Sequence, residues 1–366
     1  MHRRLATILA GLLVLGTSSL VMAQVAEDEV PRLSGGANLH TLWTLSETAG
    51  DPSNEIAISM ARVKLLWREG KWLRARLQFD VDQLFEEEKS RAMLRDAWVE
   101  LRLNRALRLR LGQFKRPFSA LELRGRSSLE VISRGPANGL LIEDLGFGDR
   151  DLGLQISGDF GRSKRQVSYA LGAFNGTGRN QPETDGNGAK DIVGRVTARA
   201  RRWLTFGANA SVKLFDTETV GYYPSWSWMT GVDMTIERKG LFVLVEALYG
   251  LNHDRCALAF EPDECRAEND RVGVPRAAAV SALVAYRFDL GTSLELALEP
   301  VVKGEVLMPD DGLDKALAGQ ASVGANLHFG KHVRLMVHGD LRRVDDALVG
   351  AWSDENRLFV QLALRL

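Results

Sequence analysis

The chain is short of most features that would place it in a functional class. Of its 366 residues only two are cysteines and ten are prolines. Basic and acidic residues balance at 47 each. No cationic excess points to nucleic acid. Beyond the first two dozen residues no stretch approaches the roughly 18 uninterrupted apolar residues that mark a spanning helix, which excludes a helical membrane protein. No glycine-rich phosphate loop or nucleotide fingerprint occurs, and no cofactor is expected. His40, His253, His328, His332 and His338 sit in no nucleophile-base or metal-ligand spacing. An enzyme would need such a pairing. His328, His332 and His338 read as scattered surface histidines near one turn.

What is present begins with an export signal. Arg3 and Arg4 precede an apolar run from Leu5 to Leu15, and Val21-Met22-Ala23 has the small-residue character of a cleavage site. Residues 1–23 read as a signal peptide cleaved after Ala23, with 24–366 as the mature domain. The run is shorter than the roughly 20 residues a membrane anchor needs. Loss of Arg3 and Arg4 takes the 47 basic residues to 45 against 47 acidic, a formal charge of −2. In an exported protein Cys256 and Cys265, in one polar segment, read as a disulfide closing a surface loop.

The mature chain is dominated by alternation. From Trp72 to Asp82, Leu73, Ala75, Leu77, Phe79 and Val81 alternate with Arg74, Arg76, Gln78, Asp80 and Asp82. A period of two is the mark of a strand with one apolar and one polar face. The pattern recurs at 204–214, 294–298 and 333–341. The stretch 241–249 is strand-like too, but apolar on both faces apart from Glu246. Sixteen such segments are expected, from about 32–45 to 356–366. An even number of roughly ten-residue strands fits an outer-membrane barrel.

The connections carry the stronger argument. Turns such as 68–71, 104–105, 201–202 and 330–331 alternate with long loops at 46–55, 83–91, 116–148, 176–189, 215–226, 252–275, 304–315 and 344–355. Short turns on one rim and long loops on the other are the habit of a transmembrane β-barrel. Nothing imposes that asymmetry on a soluble all-β protein. Trp43, Trp67, Trp72, Trp98, Trp203, Tyr222, Tyr223, Trp226, Trp228 and Tyr249 fall mostly near strand ends, as interfacial girdles or as ordinary strand packing.

Charge concentrates at one place. From Arg102 to Arg126 there are eight basic residues and one acid, Glu122. A strand apolar on one face and cationic on the other suits a water-filled barrel in lipid. Rings of Arg and Lys select anions, and the planar guanidinium matches phosphate oxygens. The residues expected along an anion path are Arg74, Arg76, Arg102, Arg108, Arg110, Lys115, Arg116, Arg124, Arg126 and Arg150. Lys115, Arg116, Arg124 and Arg126 are expected at the narrowest point. Arg62, Lys64, Arg195, Arg199 and Lys213 are expected to face the lumen as well. The competing reading pairs these cations with Asp80, Asp82, Asp96, Glu100, Asp233 and Glu246, with Glu122 for Lys115 or Arg116, and with Asp149 or Asp151 for Arg150.

Three stretches go beyond architecture: Leu111 to Phe118 (LGQFKRPF), Arg150 to Leu154 (RDLGL) and Tyr169 to Gly178 (YALGAFNGTG). Together they resemble the phosphate-selective porin O and P family of sixteen-stranded outer-membrane channels, most closely from about Leu94 to Gly178. The resemblance implies a trimeric anion channel, with phosphate among its solutes and outer-membrane lipid around it. It also implies a third external loop folded into the lumen, for which 116–148 is in place. A non-selective general porin, a barrel plugged by that loop and an outer-membrane enzyme are the competing functions.

Overall fold

A computed structural model describes residues 31–48, 50–82, 93–162, 165–180, 189–214, 226–254, 274–291, 293–311, 317–345 and 353–366. The strands are β1 (Arg32–Thr48), β2 (Asp51–Glu69), β3 (Leu73–Asp80), β4 (Leu94–Arg102), β5 (Arg108–Lys115) and β6 (Arg150–Arg162). They continue as β7 (Arg165–Phe174), β8 (Asp191–Arg201), β9 (Leu204–Leu214), β10 (Trp226–Arg238), β11 (Leu241–Leu251) and β12 (Arg276–Tyr286). After the two-residue β13 (Phe288–Asp289) come β14 (Leu296–Met308), β15 (Ala318–Phe329), β16 (Val333–Val344) and β17 (Glu355–Arg365).

Each strand pairs antiparallel with its neighbour, and β17 pairs with β1 with Asn38 opposite Arg365. The sheet is therefore a closed barrel. β13 only extends β12 along β14, so among the described residues the wall has sixteen strands. Pro300, with no N–H to give, sits at the break in the β12 ladder between Leu298 and Val301. Closure leaves no unpaired edge in lipid, which is the condition for a sheet to span a membrane.

Alternation sets the two faces. On β3 Leu77 is exposed while Gln78 and Asp80 are buried, and on β9 Phe206 is exposed while Asn209 and Ser211 are buried. The exposed rows are apolar, as an outer surface against lipid requires. Trp43, Trp67, Trp226 and Tyr249 lie on that exposed surface. Trp98 does not: it packs against a buried apolar cluster.

The expected long loop at 46–55 is corrected. Thr48 lies opposite Asp51, and the strands run on through it. Gly50 takes φ +91°, the left-handed conformation that a two-residue turn demands. Alternating long and short connections therefore start only after β2. Cys256, Cys265, Tyr222, Tyr223 and the first 23 residues lie outside the described residues.

The apolar core is not a central one but a contact layer between residues 114–147 and the buried rows of the wall. Phe114, Phe118, Leu140, Leu141 and Phe147 pack with Phe174 of β7, Val193 of β8, Met229 of β10, Leu248 of β11, Ala279 of β12 and Leu307 of β14. Leu121, Leu129 and Val131 pack with Phe242 and Leu244 of β11, Leu283 of β12 and Val301 of β14. Each such side chain, fully buried, contributes about 1.5–3 kcal/mol. This explains the stretch 241–249: β11 is apolar on both faces because one meets lipid and the other meets this segment.

Candidate functional site

The segment 116–149 starts from an anchor at the end of β5. Arg116 is 2% exposed. Its guanidinium donates to Asp191 at 2.8 Å, to the carbonyl of Gly146 at 2.8 Å and to Asp151. Lys213 Nζ adds a contact to Asp191 at 3.3 Å. Two cations thus meet two carboxylates out of water, a neutral set that tolerates burial. Arg116 was expected at the narrowest point of an anion path. Both its terminal nitrogens are instead bound within the fold, which ties β5 to β6, β8 and Gly146.

Further along, the segment is tied to the wall by hydrogen bonds. Ser119 Oγ and the Ala120 N–H donate to Glu246 of β11 at 2.8 and 2.5 Å. The Ala137 N–H donates to Glu305 of β14 at 2.6 Å. Asn326 of β15 donates to the Glu130 carbonyl at 2.8 Å, and Arg334 of β16 to the Leu129 carbonyl at 2.9 Å. Gly135 takes φ +92°, a conformation that side chains avoid, and a Cβ there would stand 2.6 Å from Lys303 Nζ and 2.7 Å from Glu305 Oε2, so both would have to shift.

Beyond the contacts of Lys115 and Arg116, the part of the segment at Leu123, Gly125 and Ser127 faces β1 to β6 across a gap. A cavity of about 360 Å³ lies there, lined by Arg62, Lys64, Arg76, Arg110, Lys115 and Arg150, with Asp96 as its one acid, and by Trp98 and Phe114. A second cavity of about 730 Å³ adjoins it, since Lys64 and Ser127 line both. Its walls carry Arg287, Lys331, Arg334 and Arg365 against Glu130 and Glu299, with His40, His328 and His332.

Four of the ten cations expected along the path, Arg76, Arg110, Lys115 and Arg150, line the smaller cavity, and eight of the ten hold a carboxylate. Arg76 lies 3.3 Å from Asp96, Arg102 3.5 Å from Glu100 and Arg108 3.1 Å from Asp159. Arg110 meets Glu100 at 2.5 Å and lies over the Trp98 ring, 4.4 Å from its centroid. Lys115 bonds Glu122. Arg150 meets Asp96 at 2.7 Å and Asp149 at 3.4 Å, and does not pair with Asp151. Arg124 bonds Glu130 and lies over Phe242. Arg195 belongs to Asp233 at 2.7 Å. Lys64, Arg74 and Arg126 hold no carboxylate within ion-pair distance among the described residues. Arg74 lies opposite Arg68 on one side and Glu100 on the other.

Several site residues escape sequence reasoning. Arg95 pairs with Asp80 at 3.2 Å from an irregular position on β4, where the register shifts and strict alternation fails. Arg134 reaches Glu122 at 3.4 Å from inside the loop, where no periodicity guides the eye. The reading of His328 and His338 as surface groups is also corrected, while His332 is exposed as expected. His338 is buried and bonds Asn326 at 2.9 Å, His328 meets Glu299 at 3.1 Å, and His40 is buried. His328 and His338 are inward-facing residues of β15 and β16, not scattered surface groups, and His40 faces inward from β1.

Burial raises three carboxyls of the segment itself, Asp144 among them. Desolvation raises Glu130 above the ordinary range despite Arg124 beside it. Desolvation, and then the nearby charges of Glu122 and Asp149, raises Glu143.

Comparison with known proteins agrees with the barrel fold. Residues 43–237 match the model of a family described as phosphate-selective porin O and P. An anion-selective porin from Comamonas acidovorans superposes with a TM-score of 0.66 at 14% identity, over 92% of this chain and 100% of that one. Salmonella typhi OmpF, in complex with daunomycin, gives 0.59 at 15% identity, over 92% and 98%. The outer membrane channel DcaP of Acinetobacter baumannii gives 0.59 at 12% identity, over 92% and 97%. No curated protein sequence matches the chain.

Proposed function

The chain belongs to the phosphate-selective porin O and P family, and from that premise we propose that its outer-membrane diffusion channel prefers anions, phosphate among them. Family and fold point to a channel rather than an enzyme, and in this reading the chain performs no chemistry on its solute. One observation carries the preference: the smaller cavity is lined by six cations and one acid. In a narrow passage with low-dielectric walls each fixed charge acts with little screening.

In this reading the segment 116–149 sits in the lumen and narrows it without sealing it. Anions pass between that segment and β2 to β6. Lys64, Arg76, Arg110, Lys115 and Arg150 form the passage, Arg74, Arg102 and Arg108 extend it along the wall, and Arg124 and Arg126 serve it from the segment. Where these cations are ion-paired the pairs suit conduction, since a cation already shared with a carboxylate holds an anion briefly and lets it leave. Residues 1–23 direct export and are removed, Cys256 and Cys265 close an external loop, and the barrels assemble as homotrimers.

A planar-bilayer recording of the purified protein across a KCl gradient tests the reading. A reversal potential of anion-selective sign, with phosphate reducing chloride current, supports it. Cation selectivity or none makes the channel a general porin, and absence of conductance makes the segment a plug.

A further inference from the structure

The cavity between the segment and β2 to β6 holds more than charge. Trp98 of β4 and Leu123 of the segment both line it, among Lys64, Arg76, Arg110 and Arg150. Leu123 closes the short helical turn Ala120–Leu123. In that turn Leu121 is 4% exposed and packs with β11, β12 and β14, whereas Leu123 is 37% exposed. The apolar contact that fastens the segment to the wall therefore does not account for Leu123.

Trp98 is fixed in its place. It packs against the apolar cluster that contains Phe114. The Arg110 guanidinium lies over its ring, 4.4 Å from the centroid, and donates to Glu100 through Nε at 3.0 Å and through Nη2. A planar guanidinium clamped by a carboxylate holds a stacked ring in one orientation. Along β4, Trp98 shares its face with Asp96 and Glu100, both buried, while Val99 and Leu101 are exposed on the other face. The indole thus belongs to the lumen and not to the lipid surface.

Charge alone explains neither residue. An inorganic anion gains from cations and from hydrogen-bond donors, and gains nothing from an indole or a leucine. Apolar surface left open in a watery passage is unfavourable until something apolar covers it. A solute that carries both a carboxylate and an apolar body answers both parts of this lining. The space of about 360 Å³ is of the size that takes a small organic molecule.

We infer that this cavity is a subsite for organic anions with an apolar body, aromatic carboxylates foremost. The body lies between Trp98 and Leu123, and the carboxylate lies among Lys64, Arg76, Arg110 and Arg150. The inference rests on the reading of this cavity as the anion passage, and it names the solute class that the passage favours.

The test is a planar-bilayer recording of the purified full-length barrel in KCl at neutral pH, with benzoate and acetate each titrated against the chloride current. The two probes share a carboxylate and differ in the apolar body, so the ratio of their half-blocking concentrations reads that body alone. Benzoate is expected to reach half-block about tenfold below acetate, the effect of roughly two methylene groups taken out of water. Trp98→Ala and Leu123→Ser are each expected to bring the ratio towards one. Equal block by the two anions in an anion-selective channel overturns this inference and leaves the anion reading standing. A reversal potential without anion preference overturns both. A ratio that either variant preserves also overturns the subsite, since benzoate then acts elsewhere in the barrel or in the lipid. Should Trp98→Ala not assemble, Leu123→Ser decides alone, because Leu123 is exposed and lies outside the strands.

Discussion

Two arginines six residues apart illustrate how burial decides a role. Arg110 is half-buried, with one carboxylate and an aromatic face for partners, and it borders the cavity. Arg116 is enclosed by Asp151, Asp191 and a carbonyl. Arg116→Gln is expected to destabilise the barrel by about 3–5 kcal/mol, because two buried carboxylates lose a partner. Arg110→Gln is expected to cost no more than about 1 kcal/mol while lowering the anion-to-cation permeability ratio. Thermal melts and reversal potentials on both variants check the contrast. Equal melts for the two would remove the anchor role of Arg116. Both residues were visible in sequence as members of one cationic stretch. Their difference was not, because the partners of Arg116 lie 35 and 75 residues further along the chain.

For single elements, the segment 116–149 behaves as a second layer bolted to the barrel. Its hold on the wall depends on a glycine: Gly135→Val places a branched side chain where Lys303 and Glu305 already stand, on a backbone that side chains avoid. The expected outcome is a barrel with unaltered strand content by circular dichroism and a larger or noisier single-channel conductance. Unchanged conductance would show that Gly135 does not set the aperture. The strands were legible because alternation is enforced by two different solvents. The anchoring of the segment was only half legible. The apolar inner face of β11 and the isolated Glu246 were plain in sequence, but a helical or extended partner for that face leaves no periodic trace in an irregular loop. The turn at 49–50 was missed because polar Ser46 to Glu55 reads as loop, whereas two paired strands extend through it.

Over the whole molecule, the balance of fixed charge changes with pH in a definite direction. In an unfolded chain glutamates ionise near about pH 4.3. The fold raises Glu130 and Glu143 above that value, chiefly by desolvation. Between the unfolded and folded values the folded protein therefore holds extra protons. Their contribution to stability is fully present at lower pH and fades as pH rises through the folded values. Acidification from neutral pH removes these negative charges while the arginines stay cationic. The anion-to-cation permeability ratio is expected to rise between pH 7 and pH 5, read from reversal potentials at the two values. A ratio that falls would mean that other groups dominate.

The seam that joins Asn38 to Arg365 also has a consequence for timing. β1 can find β2 early, but its other flank has no partner until the chain has been handed over almost to its end. Until then a row of backbone donors and acceptors stands open to any passing strand. The earliest strand to be made is thus among the last to be fully paired. Export has to keep the chain apart from its own kind for that whole interval, and ring closure is the contact most exposed to delay, since it joins the most distant parts of the sequence.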